Sequence, residues 1–324
     1  MFGDLRGSAF MYSQPGAPMK IVIAGGTGFL GRPLAEALAD AKNYVTLLTR
    51  GTAGVSPTPR VRLVQWTPDG QSGAWLAEID GADAVINLAG EPIAAKRWSE
   101  EQKQRILDSR VRATRRLVEA ITAAATPPPI FISGSAVGYY GPLGHEFVTE
   151  ETPPGSDFLA RVCVKWEAEA ERASSKRTRV VCLRTGLVLA KDGGALAKML
   201  PPFKLGVGGP VGSGRQYWPW IHRRDWVDLV RWAIVTPTVS GPINATSPNP
   251  ATSAEFAQSL GHALYRPAFL PAPAFALRFM LGEMADSLLL SGQRAVPTKA
   301  QALWFTFHYP NLDEALRSLF GGSD

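Results

Sequence analysis

The stretch IAGGTGFLGR, residues 23–32, decides the fold. Its glycines at 25, 26, 28 and 31 read both as G-x-G-x-x-G, from Gly26, and as G-x-x-G-x-x-G, from Gly25. Such a turn is weak evidence alone, but here it has the required setting. KIVIAGG (20–26) is a short β-branched apolar run ending in glycine, which predicts a buried strand, and LAEALADA (34–41) has helical periodicity. Glycines between a strand and a helix let the backbone approach an anion. The helix N-terminus offers that anion unpaired amides and the positive end of its dipole. A phosphate loop of the G-x-x-x-x-G-K-[ST] kind is excluded, because Arg32-Pro33 follows Gly31. Gly25, Thr27, Gly28, Phe29 and Leu30 form the candidate cradle.

Working outward, strands are predicted at 44–50, 61–66, 83–90, 129–136 and 179–186. Long helices are predicted at about 100–124 and 158–174. Strands alternating with helices predict an α/β fold: a Rossmann-type, doubly wound parallel sheet with right-handed crossovers. After Gly186 the pattern changes. Glycine and proline crowd residues 200–214, a helix is expected at 225–234 with Asp225 as its N-cap, and Thr252/Glu255 have capping-box spacing. The expected organisation is an extension over 1–18, expected to be disordered, and a nucleotide-binding domain over 19–186 to which 215–245 returns. The rest of 187–324 forms a smaller C-terminal α/β substrate lobe.

An acidic residue at the end of the second strand would mark NAD through its ribose hydroxyl. This sequence has Thr49-Arg50-Gly51 there and no carboxylate. A guanidinium suits a 2′-phosphate, so Arg50 points to NADP(H), with Arg32 as a second candidate.

The 324 residues are 45% hydrophobic and 19% charged, an ordinary globular balance, and no apolar run reaches a membrane-spanning length. The net charge of +6 and pI near 9.4 prompt a search for a nucleic-acid patch. The densest basic region, 96–116, is interrupted by Glu100, Glu101 and Asp108 and has no aromatic interleaving, so it reads as a solvated helix face. Cys163 and Cys182 suit a reducing compartment. With no secretory h-region in 1–18, a cytoplasmic location is expected. His145, His222, His262 and His308 show no ligand spacing, so no metal site is expected. A G-x-S-x-G hydrolase elbow is absent.

Taken with INLAGEPIAAKRW (86–98), SGSAVGYYG (133–141), FLARVCVKWEAEA (158–170), GSGRQYWPWIHRRD (212–225) and RAVPTKAQALWFTFHYPNLDEAL (294–316), the glycine turn makes the chain resemble the extended short-chain dehydrogenases/reductases. Within that NAD-dependent epimerase/dehydratase superfamily it is most similar to the "epimerase family protein" branch, which carries a small C-terminal domain. The resemblance runs from Met19 to Phe320. Trp304 departs from it, since the branch usually has a small residue there. It implies that Asn87, Leu88, Ala89 and Gly90 line the cofactor and that Trp66 edges the adenine. It implies a hydroxyl at Ser135 to polarise a substrate carbonyl, and a long helix near 100–124 that forms homodimers in relatives.

The superfamily's usual acid–base pair is Tyr-x-x-x-Lys, in which lysine and the nicotinamide ribose lower the tyrosine pKa. None of the seven tyrosines has a lysine four residues on. If Glu167 is matched to a glutamate common on that helix, the two slots hold Leu159 and Cys163. If Lys165 is taken as the lysine, the tyrosine slot holds Arg161. Tyr139 and Tyr140 are the candidate replacement acids. Gln216, Tyr217, Trp218 and Trp220 are candidates for the substrate side, and His222 is expected to be structural. Two readings stay open: an NADP(H)-dependent oxidoreductase or epimerase acting on a small carbonyl or sugar-type substrate, and a catalytically inactive NADP(H)-binding sensor or partner protein.

Overall fold

The computed structural model describes residues 17–51, 59–68 and 73–321. The extension expected at 1–18 therefore lies, through residue 16, outside the described residues.

Seven strands form the central sheet: β1 (Lys20–Ala24), β2 (Tyr44–Thr49), β3 (Val61–Gln65), β4 (Ala84–Asn87), β5 (Ile130–Ala136), β6 (Arg179–Thr185) and β7 (Gly241–Ala245). Their order is β3-β2-β1-β4-β5-β6-β7, and every pairing is parallel. The strand order reverses between β1 and β4, which opens a crevice at their C-terminal ends. β7 was not legible as a strand, because its GPINA sequence begins with glycine and proline. Pro242 is tolerated because β7 is an edge strand.

Both faces of the sheet are covered, so its inner strands read as continuous apolar runs. Ile21 and Ile23 face one core with Leu34, Ala35 and Leu38 of α1 (Gly31–Asp40). Val22 and Ala24 face the other, beneath the short turn α2 (Leu76–Ile79) and the long α3 (Glu100–Ala123). Ser99 caps α3 by accepting from the Gln102 amide. The basic stretch on α3 is laced with ion pairs, among them Arg105–Glu101 and Arg112–Asp108.

α4 (Phe158–Glu171) follows β5, capped by Asp157. Beyond β6 come α5 (Gly194–Lys204), α6 (Arg223–Val235), α7 (Ser253–Ala263) and α8 (Ala274–Leu281). The Thr252/Glu255 capping box is present on α7. On α6 the expectation fails. Its N-cap is His222, whose Nδ1 accepts from the Arg224 amide at 3.1 Å. Asp225 is instead fully buried and accepts from the backbone amides of His308 and Tyr309, at 2.7 and 2.9 Å. The tail is divided between the large sheet and a separate, smaller core built on α5 and α7. Ala300 belongs to the core of the large sheet, while the C-terminal helix Leu312–Phe320 packs on α7. No helix among the described residues is long and apolar enough to cross a membrane.

Candidate functional site

The glycine turn sits in the crevice between β1 and β4. Gly25 has a φ of +76°, and a Cβ there would lie 2.7 Å from the Leu88 carbonyl carbon and 2.8 Å from the Ala89 nitrogen. Both its conformation and this approach exclude a side chain. The Gly28 amide donates back to the Gly25 carbonyl at 3.1 Å, and Gly31 rests on the Gly26 backbone, locking α1 against the turn. The N-cap of α1 is Leu30, which offers no side-chain cap, and no acid lies in the first turn. The positive end of the helix therefore faces an open, exposed surface at Thr27 and Gly28. Phe29 is held under Gly193 and Gly194, with the Arg223 guanidinium 5.6 Å from its ring centre and paired to Asp192.

The other wall is Asn87-Leu88-Ala89-Gly90. Buried Asn87 accepts from the Ala89 amide at 3.1 Å and donates to Thr114 Oγ1 at 2.9 Å, while the Leu88 amide donates to Ala24 O. Gly90 lies against Arg110, which donates to the carbonyls of Glu91 and Ile106 and stands over the Trp166 ring. Burial lowers the Arg110 pKa.

Arg50 follows β2 directly, is exposed, and has no acidic partner among the described residues. Arg32, also exposed, is paired to Glu36 at 3.1 Å. Trp66 departs from its expected role. It is buried edge-to-face against Trp75, with ring centres 6.0 Å apart, so it supports the crevice from within the core and presents no open face to a ligand.

Ser135, at the end of β5, donates to Glu167 Oε1 at 2.5 Å. Glu167 is gripped through both oxygens by Arg184, from Nε at 2.9 Å and Nη2 at 2.8 Å. Arg184, 3% exposed, also donates from Nη1 to the Tyr140 hydroxyl and the Glu150 carbonyl. Tyr140 donates to Asn244 Oδ1 at 2.6 Å, and the Asn244 backbone amide donates to Glu150 Oε1. Burial alone would lower the Arg184 pKa, but the bonds and charge of Glu167 hold it above its ordinary value.

This network corrects the expectation for Tyr140. The residue is 1% exposed, its hydroxyl is committed to Asn244 and Arg184, and burial pushes its pKa up to about 12, which fits a structural hydroxyl. Tyr139 is half-buried, with the Arg184 guanidinium 3.5 Å from its ring centre. On α4, Leu159 packs where a Gly138 side chain would be, and Glu167 accepts from Ser135. Arg161 and Lys165 are exposed. Cys163, the lysine slot in the register that matches Glu167, is a buried thiol whose pKa burial raises to about 12.

In the smaller lobe, Gln216 spends its amide nitrogen on the carbonyls of Val211 and Leu289. Trp218 is buried against Phe256, and Trp220 is fully buried with Nε1 bonded to Asn249 O. Both tryptophans are core residues, not pocket walls. Tyr217 stays half-buried beside His145. His222 is structural: besides capping α6 it lies 4.1 Å from the Tyr309 ring centre. Sequence reasoning missed Arg184, Glu150, Asn244 and Arg110. A signal existed for Arg184: an arginine near the end of the apolar run RVVCLRT must find a buried partner.

A family model described as NAD dependent epimerase/dehydratase family matches residues 21–245, and one for a domain of unknown function (DUF1731) matches 272–319. The chain is 40% identical to "Epimerase family protein SDR39U1 homolog, chloroplastic" of Arabidopsis thaliana, over 98% of this chain and 92% of that protein. It is 39% identical to the mouse epimerase family protein SDR39U1, over 93% and 99%. The crystal structure of human SDR39U1 (isoform 2) with NADPH superposes with a TM-score of 0.85 at 36% identity, covering 94% of this chain and all of that one. This chain belongs to the NAD dependent epimerase/dehydratase family, with its extended short-chain dehydrogenase/reductase fold.

Proposed function

We propose that the chain binds NADP(H) across the β1/β4 crevice and is an oxidoreductase or epimerase for a small carbonyl or sugar-type substrate. The observation that carries the reading is the pairing of an uncapped α1 N-terminus, with no acid in its first turn, with Arg50, a guanidinium without an acidic partner among the described residues where NAD-specific proteins place a carboxylate. The cradle fits the group: at Gly25 a Cβ would occupy the space between the turn and the Leu88–Ala89 backbone. The human relative crystallised with NADPH supports the same cofactor.

When bound, the dinucleotide supplies hydride transfer at its nicotinamide ring. Gly25, Thr27, Gly28, Phe29 and Leu30 hold its phosphates, Arg50 its 2′-phosphate, and Asn87 to Gly90 the opposite wall. The Ser135 hydroxyl, whose hydrogen is donated to Glu167, orients the substrate by accepting from one of its hydroxyl groups. Tyr139 is the proton donor, since Tyr140 is consumed by the Asn244–Arg184 network.

One observation favours a second reading, a cofactor-binding sensor. Leu159 and Cys163 fill the acid–base slots with groups that cannot shuttle protons at neutral pH. Calorimetric titration of NADPH and NADH decides the first point. NADPH should bind more tightly, and Arg50→Ala should weaken NADPH about 10- to 100-fold, the value of a charge-assisted contact, while leaving NADH unchanged. Equal loss for both cofactors would remove Arg50 from the phosphate site. Incubating the NADPH complex with carbonyl compounds and nucleotide sugars then separates the readings. Hydride transfer abolished by Tyr139→Phe supports the enzyme, and binding without turnover across the panel supports the sensor.

A further inference from the structure

Arg294 is the half-buried arginine whose hydrogen-bonding capacity the fold leaves unused. Arg184 spends its fork on Glu167, Tyr140 and Glu150, and Arg179 donates to three carbonyls. Arg110 donates to two carbonyls. Arg294 donates to none of the described residues, and its Nε is buried without a partner. Buried donors are nearly always satisfied, so an orphan of this kind asks for an acceptor that the chain does not supply.

Its surroundings fix it in place. The guanidinium carbon lies 3.9 Å from the Phe147 ring centre and 4.9 Å from that of Tyr217. Its backbone pairs with Phe147 in a short parallel ladder, Arg294–Ala295 beside Phe147–Val148. The preceding residue, buried Gln293, donates to Val137 O at 2.6 Å, which ties this segment to the turn carrying Tyr139. Aromatic faces attract the cation and constrain its plane without using its N–H groups. What remains is a planar set of donors with no carboxylate paired to it among the described residues, suited to two oxygens of one oxyanion.

We propose that Arg294 is the anchor for an anionic group of the substrate, a carboxylate or a phosphate. The proposal rests on the cofactor reading above and deepens it, by making the substrate an oxyanion-bearing molecule. The test is calorimetric titration of the NADPH-saturated protein with malonate and, separately, with inorganic pyrophosphate. Wild type, Arg294→Met, Arg294→Lys and, as a control, Arg317→Ala at an exposed arginine of the C-terminal helix are compared. Methionine keeps the packing on the rings and removes the donors. The expected result is saturable binding of one or both anions by wild type and by Arg317→Ala, weakened about 10- to 100-fold in Arg294→Met and less in Arg294→Lys. Malonate binding alone assigns a carboxylate, and pyrophosphate binding alone a phosphate. If Arg294→Met does not fold, the lysine variant carries the comparison. No saturable binding by wild type, or equal binding by wild type and the Arg294 variants, overturns the proposal. If NADPH does not bind at all, the cofactor reading fails. The same comparison without cofactor still decides the anchor.

Discussion

Tyr139 and Tyr140 are neighbours with the same phenol and opposite circumstances. Tyr140 connects β5 to β7 by donating to Asn244, 104 residues away, and accepts from Arg184 on β6 between them. Tyr140→Phe leaves the Asn244 oxygen without that donor and one Arg184 N–H without that acceptor. It should cost about 1–3 kcal/mol in urea denaturation and leave NADPH affinity unchanged. Tyr139→Phe should leave stability within about 0.5 kcal/mol, as expected for a hydroxyl outside such a network. A larger loss in Tyr139→Phe than in Tyr140→Phe would reverse the two roles. The sequence brought both tyrosines to the site but could not rank them, because their burial depends on partners on distant strands. It could rank the lysine slot only conditionally, through Glu167. In the structure Ser135 meets Glu167, while Lys165 is exposed.

At the level of elements, the start of α6 depends on a neutral imidazole. Burial, then the charges of Arg223, Arg224 and His308, push the His222 pKa from its ordinary 6.5 to about 4. Protonation would turn the Nδ1 acceptor into a donor facing the Arg224 amide. Between pH 6.5 and 4 the unfolded chain binds the proton and the folded chain resists it. The stability this group contributes is therefore complete above pH 6.5 and is lost as pH falls through 4. His222→Asn keeps a capping oxygen that does not titrate. The wild type should lose up to about 3 kcal/mol more than the variant across that window, measured by denaturation at stepped pH. Parallel pH profiles would show that His222 does not titrate there. Asp225 was misread as the cap because it has the right residue type at a helix start. What decided against it was the demand of two distant amides. Trp304 shows the reverse case. It departs from the family pattern by bulk, and it adopts a φ of +63° while its ring stays exposed. The small residue usual there suits that backbone, and the open surface tolerates the ring.

For the whole molecule, the alternation of strands and helices made the Rossmann sheet legible from β1 to β6. The second half was harder, because it returns to the sheet in pieces whose local sequences carry little signal. Asp225 is the main clasp on the tail. Asp225→Ala removes the acceptor for two amides and should cost about 2–5 kcal/mol, with faster hydrogen exchange at His308 and Tyr309 than at α1. Uniformly faster exchange throughout would mean that the aspartate supports the whole fold and not the tail alone. Other ties run the same way: Asn244 to Val296, Glu150 to Lys299, and Ser247 to Pro310. The chain is thus woven, with its last strand and its tail both closing over segments laid down much earlier. A cut after residue 186 would strip β7 from the sheet edge, and one after 245 would leave Asp225 and Glu150 facing lost partners. Gene fusion or recombination between relatives cannot exchange the half after residue 186 as a cassette. Specificity in such a protein has to change in place, residue by residue, within a single inseparable unit.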